Sequence, residues 1–303
     1  MPQPKAKHIV IITGPTAAGK TRTALAVAEH FGIPVISADS RQMYKQLPIG
    51  TAQPTKEELQ KVKHFFIGNL DLEEYYSAAM YEQQVMILLE DLFKESPVAL
   101  LAGGSMMYID AVCKGIDDIP TIHDDIRQQV KREIQENGIA PLLEELQKKD
   151  PEYYAIADKN NTRRIAHAIE IIRQTGGTYT QLRTHTIRQR PFGIIKIGLN
   201  LPREQLYQRI NDRVLKMVEQ GLVEEAREVY PKRELNSLNT VGYKELFKYF
   251  DGDISLDEAI RQIQSNTRQY ARKQMTWYRR DPDIQWFHPT ATDAVIKYIN
   301  QKL

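Results

Sequence analysis

The chain opens with short apolar runs set between amphipathic stretches. The run "HIVIIT" at 8–13 is continuously apolar and reads as a buried strand, and "KTRTALAVAEHFG" at 20–32 carries a helical period that stops at Gly32. A second strand is predicted in "IPVISAD" at 33–39, and a third in "PVALLAGGS" at 97–105, after the helical stretch "YYSAAMYEQQVMILLEDLFKES". Strands alternating with helices predict an α/β fold with a parallel sheet covered by helices. Between 115 and 191 the pattern turns wholly helical. There "TIHDDIRQQVKREIQENG" is expected to start with Thr121 as N-cap and to end at Gly138, and "NTRRIAHAIEIIRQTGG" spaces Ile165, Ile169 and Ile172 at helical intervals before Gly176. A strand is predicted again in "FGIIKIGLNLP", followed by helices from Arg203 onward and the apolar-aromatic "IQWF" near the end. The expected organisation is a core of residues 1–114 and 192–303, interrupted by an all-helical lobe at 115–191.

Directly after the first strand comes "GPTAAGKT": Gly14, Pro15, Thr16, Ala17, Ala18, Gly19, Lys20 and Thr21. It fits G-x-x-x-x-G-K-[ST] between a strand and a helix, the P-loop of nucleotide-binding and NTPase-like folds. Successive backbone N–H groups at a helix N-terminus surround a phosphate, the lysine adds charge, and the Thr21 hydroxyl is placed to hold Mg2+. None of this dictates a triphosphate. Ligands of parallel sheets lie outside the strands' carboxyl ends, so Asp39-Ser40-Arg41-Gln42 and Gly103-Gly104-Ser105 are expected to converge on the loop. A hydrolysing P-loop enzyme uses an acid at the end of another strand. "VALLAGGS" ends in glycines and a serine, and only "VISAD" supplies one, Asp39. Asp39 reads either as a metal-holding or helix-capping aspartate or as a general base facing the substrate beside the phosphates.

Composition narrows the class. The chain is 42% hydrophobic and 26% charged, without an apolar run near the roughly 18 residues a membrane span requires. Its amino terminus shows no small-residue cleavage site, so a cytoplasmic location is expected. The lone Cys113 excludes an internal disulfide and a cysteine-based zinc site, and reads as a buried hydrophobe or a reactive thiol. The net charge is only +2, yet no acid occurs from Ile171 to Arg203 or from Ala259 to Arg280. Such stretches read as patches facing a polyanion or as solvated helix faces.

Taken together, "GPTAAGKT", "SADSRQMY" with "IGTAQP" after it, "AGGSMMYI", "NNTRRIAHAIE", "NTVGYKEL" and "RQYARKQMTWYRR" resemble the tRNA dimethylallyltransferase (tRNA isopentenyltransferase) family from Gly14 to about Trp286. The resemblance implies a P-loop core with a helical insertion that contacts the tRNA anticodon arm. It implies transfer of a dimethylallyl group from dimethylallyl diphosphate to the exocyclic amine of the adenosine beside the anticodon, with Mg2+ as cofactor. By position in the family pattern, Asp39 is the base, Arg213 of "QRINDRV" joins Lys20 in gripping the leaving group, and Ser105 stands where the family has a threonine. The tRNA-contacting positions so implied are Asp39, Ser40, Arg41, Gln42, Arg127, Thr162, Arg163, Arg164, Ile165, Ala166, Tyr243, Lys244, Arg268, Arg272 and Lys273. The chain departs from the pattern at "KHFFIGNLD", where only His64 is retained, and at Ala166 and His167. The single cysteine fits the bacterial type rather than eukaryotic members with a zinc finger, and a monomer is expected. The competing readings are an adenylate isopentenyltransferase, a small-molecule kinase and a non-catalytic RNA-binding protein. The first two leave the basic segments unexplained, and the third leaves Lys20, Thr21 and Asp39 unexplained.

Overall fold

The computed structural model describes residues 6–184 and 186–303; residues 1–5, part of the amino-terminal stretch judged for a cleavage site, lie outside it. Six strands form one sheet: β1 (His8–Thr13), β2 (Val35–Ala38), β3 (His64–Phe65), β4 (Val98–Gly103), β5 (Gly193–Leu199) and β6 (Gln285–Phe287). Their order is β3-β2-β4-β1-β5-β6, and every pair is parallel. The first four helices are α1 (Lys20–Phe31), α2 (Lys56–Lys61), α3 (Ala78–Glu95) and α4 (Met106–Lys114). Next come α5 (Asp124–Asn137), α6 (Ala140–Lys149), α7 (Pro151–Ile156), α8 (Thr162–Thr175) and α9 (Tyr179–Leu182). The last are α10 (Arg203–Glu219), α11 (Leu222–Val229), α12 (Tyr243–Phe250), α13 (Leu256–Tyr278) and α14 (Thr292–Lys302). None of the described helices is long and apolar enough to cross a membrane.

Why β1 reads as an unbroken apolar run follows from strand geometry. Successive side chains point to opposite faces, so Ile9 and Ile11 enter one core while Val10 and Ile12 enter another. The first core is closed by Tyr81, Val85 and Leu89 of α3, Leu246 of α12 and Ile263 of α13, and the second by Val27 of α1 and Val295 and Ile299 of α14. Cys113 lies buried in the first core, the packing role of a small hydrophobe. The two-residue β3 escaped the sequence pattern because it is too short to show a period; it pairs with β2 through Val35 and Ile36.

The chain divides into two compact units, residues 1–113 with 189–303, and Lys114–Arg188. The second holds α5 to α9, and the expected limits were 115 and 191. Its core joins Val130, Leu142, Leu146 and Tyr153 to Ile165, Ile169 and Ile172 on the apolar stripe of α8. Asp150, 1% exposed, caps α7 through Tyr153 N–H and accepts from the Thr180 N–H and hydroxyl at 2.8 and 2.7 Å. The N-cap of α5 is His123 rather than Thr121, whose carbonyl instead accepts from Gln174 at 2.8 Å.

The acid-free stretch from Ile171 to Arg203 is also corrected. Arg173 bridges Glu133 and Glu145 at 2.8 and 2.6 Å, Arg190 pairs with buried Glu82 at 2.5 Å, and Lys196 pairs with Asp281 at 2.7 Å. Acids distant in sequence are folded onto this segment, so much of its charge is neutralised inside each unit. In the second stretch Arg261 pairs with Glu258, whereas Arg268 and Arg272 donate to the neutral Asn211 and Tyr207.

Candidate active site

The phosphate loop is shaped by backbone that few side chains tolerate. Gly14 adopts φ 139°, and a Cβ there would strike the Leu199 carbonyl of β5. Gly19 precedes α1 at φ 92° and gives it no side-chain cap, and no acid occupies the first turn. The first amides of a helix lack intrahelical partners, so this end of α1 is an anion site by construction. Lys20 folds back over the loop, donating to the carbonyls of Gly14 and Pro15 at 3.0 and 2.8 Å. Desolvation lowers its pKa to about 8; the Asp39 carboxylate opposes that shift and the Arg213 guanidinium adds to it. Desolvation likewise lowers Arg213, again opposed by Asp39.

Strand order brings the second and third segments to this loop. In the β2–β4 register Ala38 lies opposite Gly103, and the Thr13 hydroxyl at the end of β1 donates to the Gly103 carbonyl at 3.3 Å. Asp39 Oδ1 accepts from Arg41 N–H at 3.0 Å, holding the turn that follows β2. Ser105 N–H donates to the Ala38 carbonyl, and Ser105 Oγ accepts from Ser40 N–H at 2.8 Å. A cavity of about 410 Å³ results, lined by Thr16, Lys20, Thr21, Asp39, Gln42, Glu58, Arg209, Arg213, Tyr270 and Gln274 among others. His64 lines a smaller one, about 50 Å³, that shares Lys20, Thr21 and Asp39. The arrangement sets two cations and helix amides beside one carboxylate, which suits departure of an anionic group together with removal of a proton.

Several expected site residues turn out to hold the scaffold. Ser105 is 8% exposed and is not among the residues lining the larger cavity; its Oγ accepts from Ser40 N–H and so holds the turn after β2. Arg41 donates to the carbonyls of Asn236 and Ser237, both at 3.1 Å, and Gln42 Nε2 donates to those of Thr51 and Ala52. Tyr243, expected to touch tRNA, is 0% exposed. Its hydroxyl donates to Glu225 at 2.5 Å, and the same carboxylate accepts the Ile49 and Gly50 N–H groups at 2.7 Å each. Its aromatic bulk is core and its one polar atom is satisfied internally, so Tyr243 presents nothing to a partner. Ile165 is likewise 0% exposed in the core of the second unit, and Ala166 is half-buried. Thr162, Arg163 and Arg164 at the start of α8 are exposed, and Arg127 lies 3.7 Å from Asp124 on α5. In the first unit Lys244, Arg272 and Lys273 are exposed and Arg268 is half-buried.

Sequence reasoning missed Arg209, Tyr270 and Gln274. Arg209 and Arg213 sit four apart on α10, and Tyr270 and Gln274 four apart on α13, so each pair shares a helix face. That spacing was readable, but which face meets the loop was not.

Residues 42–281 match the sequence profile of the family described as IPP transferase.

The chain belongs to the IPP transferase family.

The P-loop precedes the matched stretch, whereas the similarity to individual relatives spans 97% or more of the chain. The chain is 54% identical to tRNA dimethylallyltransferase 2 of Parabacteroides distasonis, over 97% of this chain and 99% of that one. It is 53% identical to tRNA dimethylallyltransferase 1 of Bacteroides fragilis, over 98% and 99%. Among solved structures, the full-length tRNA isopentenylpyrophosphate transferase of Bacillus halodurans superimposes with a TM-score of 0.72 at 35% identity, covering 98% of this chain and 97% of that one. The parallel six-stranded sheet with helices on both faces is thus the IPP transferase fold, and the chain is an enzyme of the transferase class.

Proposed function

We propose that this IPP transferase moves the dimethylallyl group of dimethylallyl diphosphate onto the exocyclic N6 amine of the adenosine adjacent to the anticodon of tRNA, releasing diphosphate. The observation that carries the reading, beyond family membership, is the single cavity where Lys20 and Arg213 meet Asp39. A C–N bond forms as the allylic C–O bond breaks. The electron pair of that bond leaves on the diphosphate, whose charge is met by Lys20, Arg213 and the loop amides. The proton lost by the amine goes to Asp39. An adenosine stacked in a loop reaches such a site by flipping out, at a few kcal/mol offset by contacts to its neighbours.

The residues present fit Mg2+. Thr21 and Asp39 are oxygen donors on the same cavity, and no cluster of three or more His, Cys, Asp or Glu side chains occurs among the described residues. A magnesium ion commonly takes few protein ligands and uses substrate phosphates for the rest. Thr21 would hold it, and its charge would make the diphosphate a better leaving group. A cytoplasmic location and a monomeric state accompany this reading.

The decisive experiment incubates the protein with unmodified tRNA and dimethylallyl diphosphate and measures the mass of the digested tRNA. One added isopentenyl group on a single adenosine is expected; no adduct, with ATP consumed instead, overturns the assignment.

Two further outcomes follow from the site. Lys20 is charged below about pH 8 and loses its proton as pH rises through that value. Hence kcat/KM for dimethylallyl diphosphate, which reports the free enzyme, is expected to fall above about pH 8, and a flat profile to pH 10 refutes the role of Lys20. On α13, Arg272 and Lys273 are exposed beside one another and pair with no carboxylate among the described residues. Replacing both by glutamine is expected to lower the slope of log affinity for tRNA against log salt by about 2, roughly one per phosphate contact. An unaltered slope makes this face a solvated one.

A further inference from the structure

Gln274 is the side chain that joins the two halves of the cavity. It is 1% exposed, on the face of α13 that also carries Tyr270. Its Oε1 accepts from Thr16 N–H in the phosphate loop at 2.8 Å, and its Nε2 donates to the Gly104 carbonyl after β4 at 2.8 Å. The amide orientation is forced, because an N–H needs the oxygen and a carbonyl needs the nitrogen. A Cβ placed on Gly104 would lie 2.5 Å from Gln274 Nε2 and 3.5 Å from Lys20 Nζ, so the two nitrogens are no more than about 6 Å apart. One amide of the loop is thereby turned toward α13, and the carbonyl it is tied to belongs to the residue before Ser105, which holds Ser40 beside Asp39.

We propose that Gln274 is a positioning residue that sets the spacing between the phosphate loop and the Gly103–Ser105 turn, and through it the distance between the leaving diphosphate and the incoming amine. The inference rests on the prenyl-transfer reading above. A polar group buried at 1% exposure with both ends engaged is costly to leave half-satisfied, so its removal shifts both segments at once. Arg272 and Lys273, its sequence neighbours, are exposed, so the tie to the loop runs from a helix with a solvent-facing basic side.

The test uses Gln274→Met, which keeps length and loses both hydrogen bonds, and Gln274→Ala. For each, KM for dimethylallyl diphosphate is expected to rise about tenfold or more and kcat to fall, with KM for tRNA unchanged. Binding of inorganic diphosphate, followed by calorimetry without tRNA, is expected to weaken by a similar factor. A purely structural role would lower the amount of active enzyme and leave both constants for the donor at their wild-type values, which overturns the proposal. If neither variant folds, hydrogen exchange on the wild-type protein decides: Thr16 N–H is expected to be protected without ligand, and rapid exchange there overturns the inference. A wild-type protein that binds no diphosphate and transfers no prenyl group refutes the underlying function instead.

Discussion

Replacing Asp39 by asparagine is expected to reduce prenyl transfer by about 10²–10⁴-fold, the usual contribution of a positioned base, while tRNA affinity stays near wild type. An aromatic amine is a weak nucleophile, and it becomes cationic as the C–N bond forms unless its proton is taken. Asparagine keeps an oxygen that can accept from Arg41 N–H, so the turn after β2 is held as before. Alanine loses that contact as well, and the difference between the two variants measures the turn's share. The carboxylate also acts on its neighbour: it raises the pKa of Lys20 against the effect of burial. Without it the lysine deprotonates at lower pH, so the alkaline fall in kcat/KM for the donor is expected to move below about pH 8 in Asp39→Asn. Turnover within threefold of wild type, or an unmoved pH profile, removes Asp39 from the role of base beside Lys20.

The second large effect is expected at Arg213. Changing it to glutamine removes a cation from the cavity that receives the diphosphate, and loss of one such stabilising group costs about 10²–10³ in kcat. Here the neighbour's pKa moves the other way. Arg213 depresses Lys20, so Arg213→Gln is expected to shift the alkaline limb above about pH 8 even as kcat falls. The opposite displacements in the two variants follow from one cavity, in which a lysine feels both a carboxylate and a guanidinium. If both variants shift in the same direction, the three side chains do not act on one another as described. Should Arg213→Gln retain full activity, the guanidinium lines the cavity without gripping the leaving group, and that grip falls to Lys20 and the loop amides.

The degree to which this was legible in the sequence varies with the range of the interaction. Strands β1, β2, β4 and β5 are apolar runs bounded by glycine, proline or polar residues, and α8 shows its buried stripe in Ile165, Ile169 and Ile172. The same stripe that identified α8 also excluded Ile165 from the surface, a conclusion the motif carried over from the family obscured. Tyr243 failed for a related reason. A tyrosine in a polar motif reads as a contact residue, and only the Glu225 carboxylate, contributed by a different helix, reveals it as core. The acid-free run from Ile171 to Arg203 looked like one patch because acids were counted along the chain, whereas Glu133, Glu145, Glu82 and Asp281 reach it through space.

By itself the sequence determined the parallel α/β core, the helical character of the segment after Lys114, the phosphate loop and the pairing of that loop with an acid at the end of another strand. These are set by local periods, by glycine's access to positive φ, and by the rule that parallel strands present their carboxyl ends together. Only the tertiary structure decided that Ser105 holds Ser40 instead of lining the cavity, that Arg209 joins Arg213 there, and that Gln274 ties the loop to the neighbouring turn. Such assignments depend on single hydrogen bonds between residues as many as 258 apart in the chain. No local pattern encodes them, because a buried polar group is specified by the partner that folding brings to it.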